Sequence, residues 1–157
     1  MIKTEAIILK SHCVNEADRI LTVYSEKLGK INVSAKGVRK TESKLRYSIE
    51  PISYVQMILV EGKNFLILKD AVILDQFLEI KKDLEKTLAA QKMAVLIEEA
   101  IVGEEKDLDI WQLILETFRN LNLNLLKPSE AIHRFEKKLI KALGYDEKET
   151  KSIKQLY

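Results

Sequence analysis

One cysteine, two prolines, two histidines and five glycines in 157 residues leave little material for several kinds of chemistry. Cys13 alone can form no disulfide within the chain and can give a zinc site no more than one thiolate, which predicts a reducing compartment. No stretch rich in Pro, Gly or Ser marks a flexible linker, and no internal repeat or low-complexity segment is present. No apolar run reaches the roughly 20 residues that a bilayer requires. The opening MIKTEAIILKSHC also lacks the apolar region and small-residue cleavage site of a signal peptide. The expectation is a cytoplasmic protein without membrane contact.

Catalytic constellations are equally scarce. There is no Gly-rich phosphate loop, no HExxH, no CxxC and no serine in a nucleophile elbow. His12 and Cys13 are neighbours on a candidate strand and so point to opposite faces, and His133 beside Arg134 and Lys137 reads as a surface position. The pairs Glu98-Glu99 and Glu104-Glu105 would diverge by about 100° on a helix and read as solvated faces. A non-enzyme without cofactor or metal is expected.

What the chain does have is core material and unevenly placed charge. At 46% hydrophobic and 32% charged residues it can bury one core or two small ones. The net charge of +2 divides into +3 for residues 1–75, with 12 Lys/Arg against 9 Asp/Glu, and −1 for the remainder, with 14 against 15. The basic excess therefore belongs to the first half.

That half is punctuated as an antiparallel β-domain. Residues 5–14, 19–25, 30–36, 54–60 and 65–74 are rich in Ile, Val, Leu and Tyr and are separated by short polar turns. The turns EKLG (26–29) and EGKN (61–64) each offer a glycine able to take positive φ. In KINVSAK the apolar Ile31, Val33 and Ala35 alternate with Lys30, Asn32, Ser34 and Lys36, so one face is buried and the other is wet. Five strands with a longer connection between the third and fourth match an OB-fold, with an SH3-like barrel as the main rival.

The period changes near residue 80. Residues 81–102 predict a centrally packed helix stopped by Gly103, and residues 108–126 place Trp111, Ile114, Leu115, Phe118, Leu121 and Leu125 on one stripe. A third helix opens at Pro128-Ser129, aligns Ile132, Phe135, Leu139 and Leu143, and ends at Gly144-Tyr145. The fold class expected is α+β: a five-stranded OB-fold barrel over residues 1–78, followed by an all-α helical domain over 79–157.

Between the third and fourth strands lies SAKGVRKTESKLRYS, residues 34–48. Lys30, Lys36, Arg39, Lys40, Lys44 and Arg46 put six cations in 17 residues against Glu42 alone, on and after a strand whose polar face is free. A solvated lysine-rich loop is the plain alternative. On a barrel that tracks phosphates with Lys/Arg and stacks bases on aromatics, the same density reads as a nucleic-acid edge, with Tyr24, Tyr47 and Tyr54 as the nearest stacking candidates.

Residues 15–40, NEADRILTVYSEKLGKINVSAKGVRK, resemble the N-terminal signature of bacterial RecO proteins, through the E-A-D-R-I-L strand entry, the G-K hairpin and the A-K-G-x-R-K strand end. Residues 43–51 and the L-x-x-L-G-Y-like ending of residues 135–145 fit the same family. The resemblance implies a DNA repair and recombination mediator that binds single- and double-stranded DNA and anneals complementary strands. It also implies partnership with RecR and with the acidic C-terminal tail of the single-stranded DNA-binding protein SSB, so that RecA is loaded on SSB-coated DNA at the nucleoid. Matched residue by residue, it makes Lys36, Arg39 and Lys40 the leading DNA contacts, with Gly37 turning the backbone off the strand. Arg19, inside E-A-D-R, is either a DNA contact or a partner of Asp18 or Glu16.

The four-cysteine zinc site of many relatives has no counterpart after Tyr145, where 12 residues remain, so a shortened helical domain without zinc is expected. The resemblance places a pocket for the SSB tail in that domain. Its basic candidates are Arg119, Lys127, Arg134, Lys137, Lys138 and Lys141, with Phe135 or Leu139 as apolar floor or as core. An adaptor that binds SSB or RecR without strong DNA binding is the alternative function.

Overall fold

The computed structural model of the protein describes residues 1–36 and 49–145. Two compact units divide it: Met1–Phe77 together with Gly103–Asp107, and Leu78–Val102 together with the residues from Leu108 onward.

The first unit is a closed barrel of five strands, β1 (Ile2–Cys13), β2 (Arg19–Ser25), β3 (Gly29–Ala35), β4 (Ser53–Val60) and β5 (Leu66–Asp75), in the order β1-β2-β3-β5-β4. All neighbours are antiparallel except β3 and β5, which meet in parallel through Val33–Leu66 and Ser34–Ile67. That parallel junction belongs to the Greek-key closure of an OB-fold and resolves the choice against an SH3-like barrel. The alternation seen in the sequence sets the core. Ile31, Val33 and Ala35 of β3 turn inward with Leu21 and Val23 of β2 and with Val55, Met57, Leu59 and Leu68. Each large apolar side chain so buried contributes roughly 1.5–3 kcal/mol.

Two turns are wired by single side chains. Asn15 Oδ1 accepts from the N–H groups of Ala17 and Asp18 at 2.8 and 2.9 Å, closing the β1–β2 connection. Ser25 Oγ accepts from the Leu28 N–H and donates to the Gly29 carbonyl, both at 3.0 Å, closing β2–β3. Gly29 carries φ 73°, and a methyl group there would collide with the backbone carbonyl of Glu105. Gly62 is needed for space against Phe65 and Ile67 rather than for positive φ, which corrects the expectation for that turn.

The described residues on either side of residues 37–48 are held to the barrel. Ala35 closes the β2–β3 ladder opposite Arg19. On the far side Ile49 is buried in the barrel core, and the Ile52 N–H donates to the Ile8 carbonyl at 2.7 Å. Ile52 does so at φ 59°, a conformation that costs a β-branched residue about 1–3 kcal/mol.

The second unit contains α1 (Leu78–Lys81), α2 (Leu84–Ala100), α3 (Leu108–Asn122) and α4 (Pro128–Ala142). The helix expected over 81–102 starts later because Asp83 caps it: its Oδ1 accepts the Lys86 N–H at 3.0 Å. It also stops at an extended Ile101, two residues before Gly103, so the glycine is not its stop signal. Buried Met93 and Ile97 of α2, Trp111, Ile114, Phe118 and Leu121 of α3, and Phe135, Leu139 and Ile140 of α4 supply its core. Leu125 lies beyond the end of α3 and is exposed. At the end of α4 the Tyr145 N–H reaches the Ile140 carbonyl and the Gly144 N–H the Lys141 carbonyl, the paired bonds of a Schellman cap.

Gly29→Ala is expected to destabilise the barrel by about 2 kcal/mol or more, combining left-handed strain with the collision at Glu105. Gly103→Ala, at φ 88° but in open space, should cost only the strain, about 1 kcal/mol. Denaturant titration of the two variants distinguishes them, and equal losses would contradict the close packing at Gly29.

Candidate nucleic-acid interface

The outer face of β1, β2, β3 and β5 follows from register. In β1, Ala6 and Ile8 face the core, so strict alternation would also turn Lys10 and His12 inward. A bulge between Ile8 and Lys10 shifts the phase, pairing Lys10 with Thr22 and His12 with Ile20 on the outside. Across β2 and β3 the outward rows continue as Thr22–Asn32 and Ile20–Ser34, and the Thr22 hydroxyl donates to Asn32 Oδ1 at 3.1 Å. Through the parallel junction Ser34 lies beside Ile67, and the exposed Phe65 stands just before Leu66, where β5 begins.

The wall therefore presents Lys10, His12, Asn32 and Phe65 to solvent around the half-buried Ile20, Ser34 and Ile67. Lys36 and Lys69 are both exposed and each stands two residues past the Ser34–Ile67 pair, on strands running the same way. This is the β2–β3 face with which OB-folds bind oligonucleotides, flanked by the β1–β2 and β4–β5 loops. Its cations can neutralise phosphates, and Phe65, 41% exposed, offers a ring for stacking.

The expected contacts distribute unevenly over this wall. Lys36 stands at its edge, exposed. Arg19 is half-buried and donates from Nη1 to Ser11 Oγ at 3.2 Å across the mouth of the barrel. Lys30 pairs with Tyr24 at the opposite end of β3 and is half-buried. Gly37, Arg39, Lys40, Lys44, Arg46 and Tyr47 lie outside the described residues.

Tyr24 and Tyr54 do not serve as stacking platforms, because both are buried. The Tyr54 hydroxyl donates to Glu5 Oε2 at 2.5 Å, and the Tyr24 hydroxyl donates to the Asp107 carbonyl at 3.4 Å. Burial, followed by the charge of Asp107, pushes the Tyr24 phenol up to about 12. Phe65 is the aromatic that sequence reasoning missed. Its signal was position, one residue before a strand in a short loop beside Lys63, and it became legible only through the parallel β3–β5 register.

In the helical unit the tail candidates separate. Lys127 borders a groove of about 1310 Å³ between α2 and α4, whose apolar lining includes Leu88, Val95, Leu96 and Ile132 and whose rim carries Glu85, Glu99 and Glu136. Three carboxylates against Lys92 and Lys127 leave the lining net negative, a poorer seat for an acidic peptide than a purely basic surface. Arg134, Lys137, Lys138 and Lys141 are exposed and form one stripe of α4, roughly 160° around the helix from the groove-lining Ser129, Ile132 and Glu136. Arg119 is exposed in the last turn of α3. Phe135 and Leu139 are core, not an accessible floor.

Among the described residues no cluster of His, Cys, Asp and Glu could hold a metal ion, and no helix is long and apolar enough to cross a membrane. Cys13 and His133 are both exposed.

Because a raised pKa favours the protonated phenol in the folded state, Tyr24 supports folding fully below the ordinary tyrosine value near pH 10, and this support fades as pH rises toward 12. Tyr24→Phe should remove that part of the alkaline loss, as measured by thermal unfolding across the window. An unchanged pH profile in the variant would contradict the raised pKa of the buried Tyr24 phenol.

Residues 1–77 match the family described as Recombination protein O N terminal. Over 144 residues, 92% of this chain and 57% of the relative, the sequence is 29% identical to the DNA repair protein RecO of Acetivibrio thermocellus. It is 30% identical over 145 residues to that of Clostridium perfringens, covering 92% of this chain and 59% of the relative. With the RecO protein of a Roseiflexus species the identity is 33% over 143 residues, 91% of this chain and 50% of the relative. The chain thus spans between a half and three-fifths of the length of the curated relatives it matches. With the strand order of an OB-fold and this match, residues 1–77 are a RecO-family N-terminal domain, and the chain is similar to RecO proteins through both units.

Proposed function

We propose that the protein is a non-catalytic mediator of recombination in DNA repair, binding single- and double-stranded DNA along the β1-β2-β3-β5 wall and the basic residues that follow β3. The observation that carries this reading is the open wall itself, in a RecO-family barrel: Lys10, Lys36, Lys69 and Phe65 share one side with the point from which Arg39 and Lys40 depart. Its mechanism is positional. Neutralised phosphates allow two complementary strands to lie close enough to pair, so annealing follows without any bond being made or broken. Working with RecR on SSB-coated strands, and so clearing the way for RecA, is the role that similarity to RecO proteins suggests, in the cytoplasm at the nucleoid.

Phosphate neutralisation dominates the affinity, with about 4–6 contacts giving a slope of log affinity against log salt near −3 to −4 on single strands. Changing Lys36, Arg39 and Lys40 together to Ala should lower single-strand affinity by about tenfold or more and flatten the slope by about 2. Salt titration by fluorescence anisotropy checks both quantities. Binding that is equally strong and equally salt-sensitive in the variant would remove the DNA role from this edge.

For the SSB tail we assign the α4 stripe rather than the groove, since an acidic peptide is attracted by Arg134, Lys137, Lys138 and Lys141 and repelled by Glu85, Glu99 and Glu136. Charge reversal at Arg134, Lys137 and Lys141 should abolish binding of an SSB tail peptide, while Glu85→Gln with Glu99→Gln should leave it within about twofold. The opposite pattern would move the site to the groove. A second reading, an adaptor without strong DNA affinity, draws on the burial of Tyr24 and Tyr54 and on the apolar groove. Annealing of SSB-coated complementary strands by the wild type would exclude it.

A further inference from the structure

The five residues Gly103–Asp107, G-E-E-K-D, join α2 to α3 in the chain yet belong to the barrel unit. Two contacts hold them there. The Glu105 backbone packs on the α-carbon of Gly29, and the Asp107 carbonyl accepts the Tyr24 hydroxyl at 3.4 Å. Tyr24 and Lys30 form the outward row at the hairpin end of β2 and β3, so the segment lies against that row. The next outward rows, Thr22–Asn32 and Ile20–Ser34, lead toward Lys36 at the other end. Along β3 the same wall thus passes from an end beside Glu104, Glu105, Lys106 and Asp107, three carboxylates against one cation, to an end marked by Lys36 and Lys69.

From this juxtaposition we infer that Gly103–Asp107 is an electrostatic stop that ends the nucleic-acid track on the barrel at the Thr22–Asn32 row. The contacts at Gly29 and Tyr24 hold the segment beside the Tyr24–Lys30 row. Its carboxylates oppose the approach of phosphate from that side, an effect that falls off within about a Debye length, roughly 8–10 Å in ordinary buffers. The anchor includes backbone atoms of the segment, Glu105 at Gly29 and the Asp107 carbonyl at Tyr24, and isosteric neutralisation of its side chains keeps these groups. The stop sets a direction: DNA engages the end bearing Lys36 and does not extend over the β2–β3 hairpin. Lys30, although basic and on the outward parity, then stands behind the stop and contributes little to binding.

This inference rests on the DNA-binding reading of the same wall, and its test separates the two. In the full chain, Glu104→Gln, Glu105→Gln and Asp107→Asn are combined, keeping size and backbone contacts, and binding to oligothymidine of increasing length is titrated against salt with and without Lys30→Ala. In the wild-type background Lys30→Ala should change affinity by less than about twofold, whereas Lys36→Ala weakens it by about threefold or more. The neutralised segment should raise affinity by about threefold or more, steepen the salt slope, and make Lys30→Ala harmful. Wild-type binding that the neutralised segment leaves unchanged, or a Lys30→Ala loss that is equally large in both backgrounds, would overturn the stop alone. Binding absent from both the wild type and the neutralised variant would overturn the DNA-binding reading and the stop with it; binding that emerges only on neutralisation would support both.

Discussion

Two residue pairs, Val33 with Leu66 and Ser34 with Ile67, close the barrel. Without them β3 and β5 would each present an unpaired edge, and the long excursion of the chain between β3 and β4 would hang from an open sheet. With them the barrel has a single continuous wall on which the outward residues of four strands share one register. Phe65 comes to the entry of this junction, and Lys36 and Lys69 come to corresponding places past the last pair, because these strands run parallel and in this register. A shift by one residue would exchange the wet and buried faces of β3, putting Asn32 and Ser34 where Val33 and Ala35 now fill the core.

The bulge at Leu9 makes a similar decision for β1. By adding one residue opposite Val23 and Thr22 it releases Lys10 and His12 from the inward phase set by Ala6 and Ile8. Bulges are enriched beside functional surfaces because they re-aim side chains without breaking the sheet, and here the re-aimed residues join the wall. Charge on that wall is graded rather than uniform. The cationic end adjoins residues 37–48, both of whose flanks are pinned to the barrel, at Ala35 and at Ile49 and Ile52. The anionic end is supplied by residues far along the chain, brought back by contacts at Gly29 and Tyr24.

Much of the architecture was legible in the residues. The alternation in KINVSAK, the short turns and the change of period near residue 80 locate the five strands and the helices, because local patterning governs which face is buried. The cap at Asp83 was readable but masked by the helical look of the residues before it. What patterning cannot carry is contact between distant segments. Tyr24 and Tyr54 stand on the outward parity of their strands yet are buried, and their hydroxyls meet the Asp107 backbone and Glu5. Phe65 looked like the first residue of a strand and acquires its place on the wall from a parallel pairing that no hairpin rule predicts. The basic character of the edge was visible at once, whereas the acidic segment that bounds it was not, since Glu104 and Glu105 read as one more solvated pair.

The most direct test of the account is a map of amide chemical-shift changes as oligothymidine is added to the labelled protein. The account predicts that changes concentrate at Lys10, His12, Asn32, Ser34, Lys36 and Phe65, diminish sharply at Tyr24 and Lys30, and weaken together as salt is raised. Changes centred on the outer face of β4, on the α2–α4 groove or on the hairpin beyond Tyr24 would contradict it.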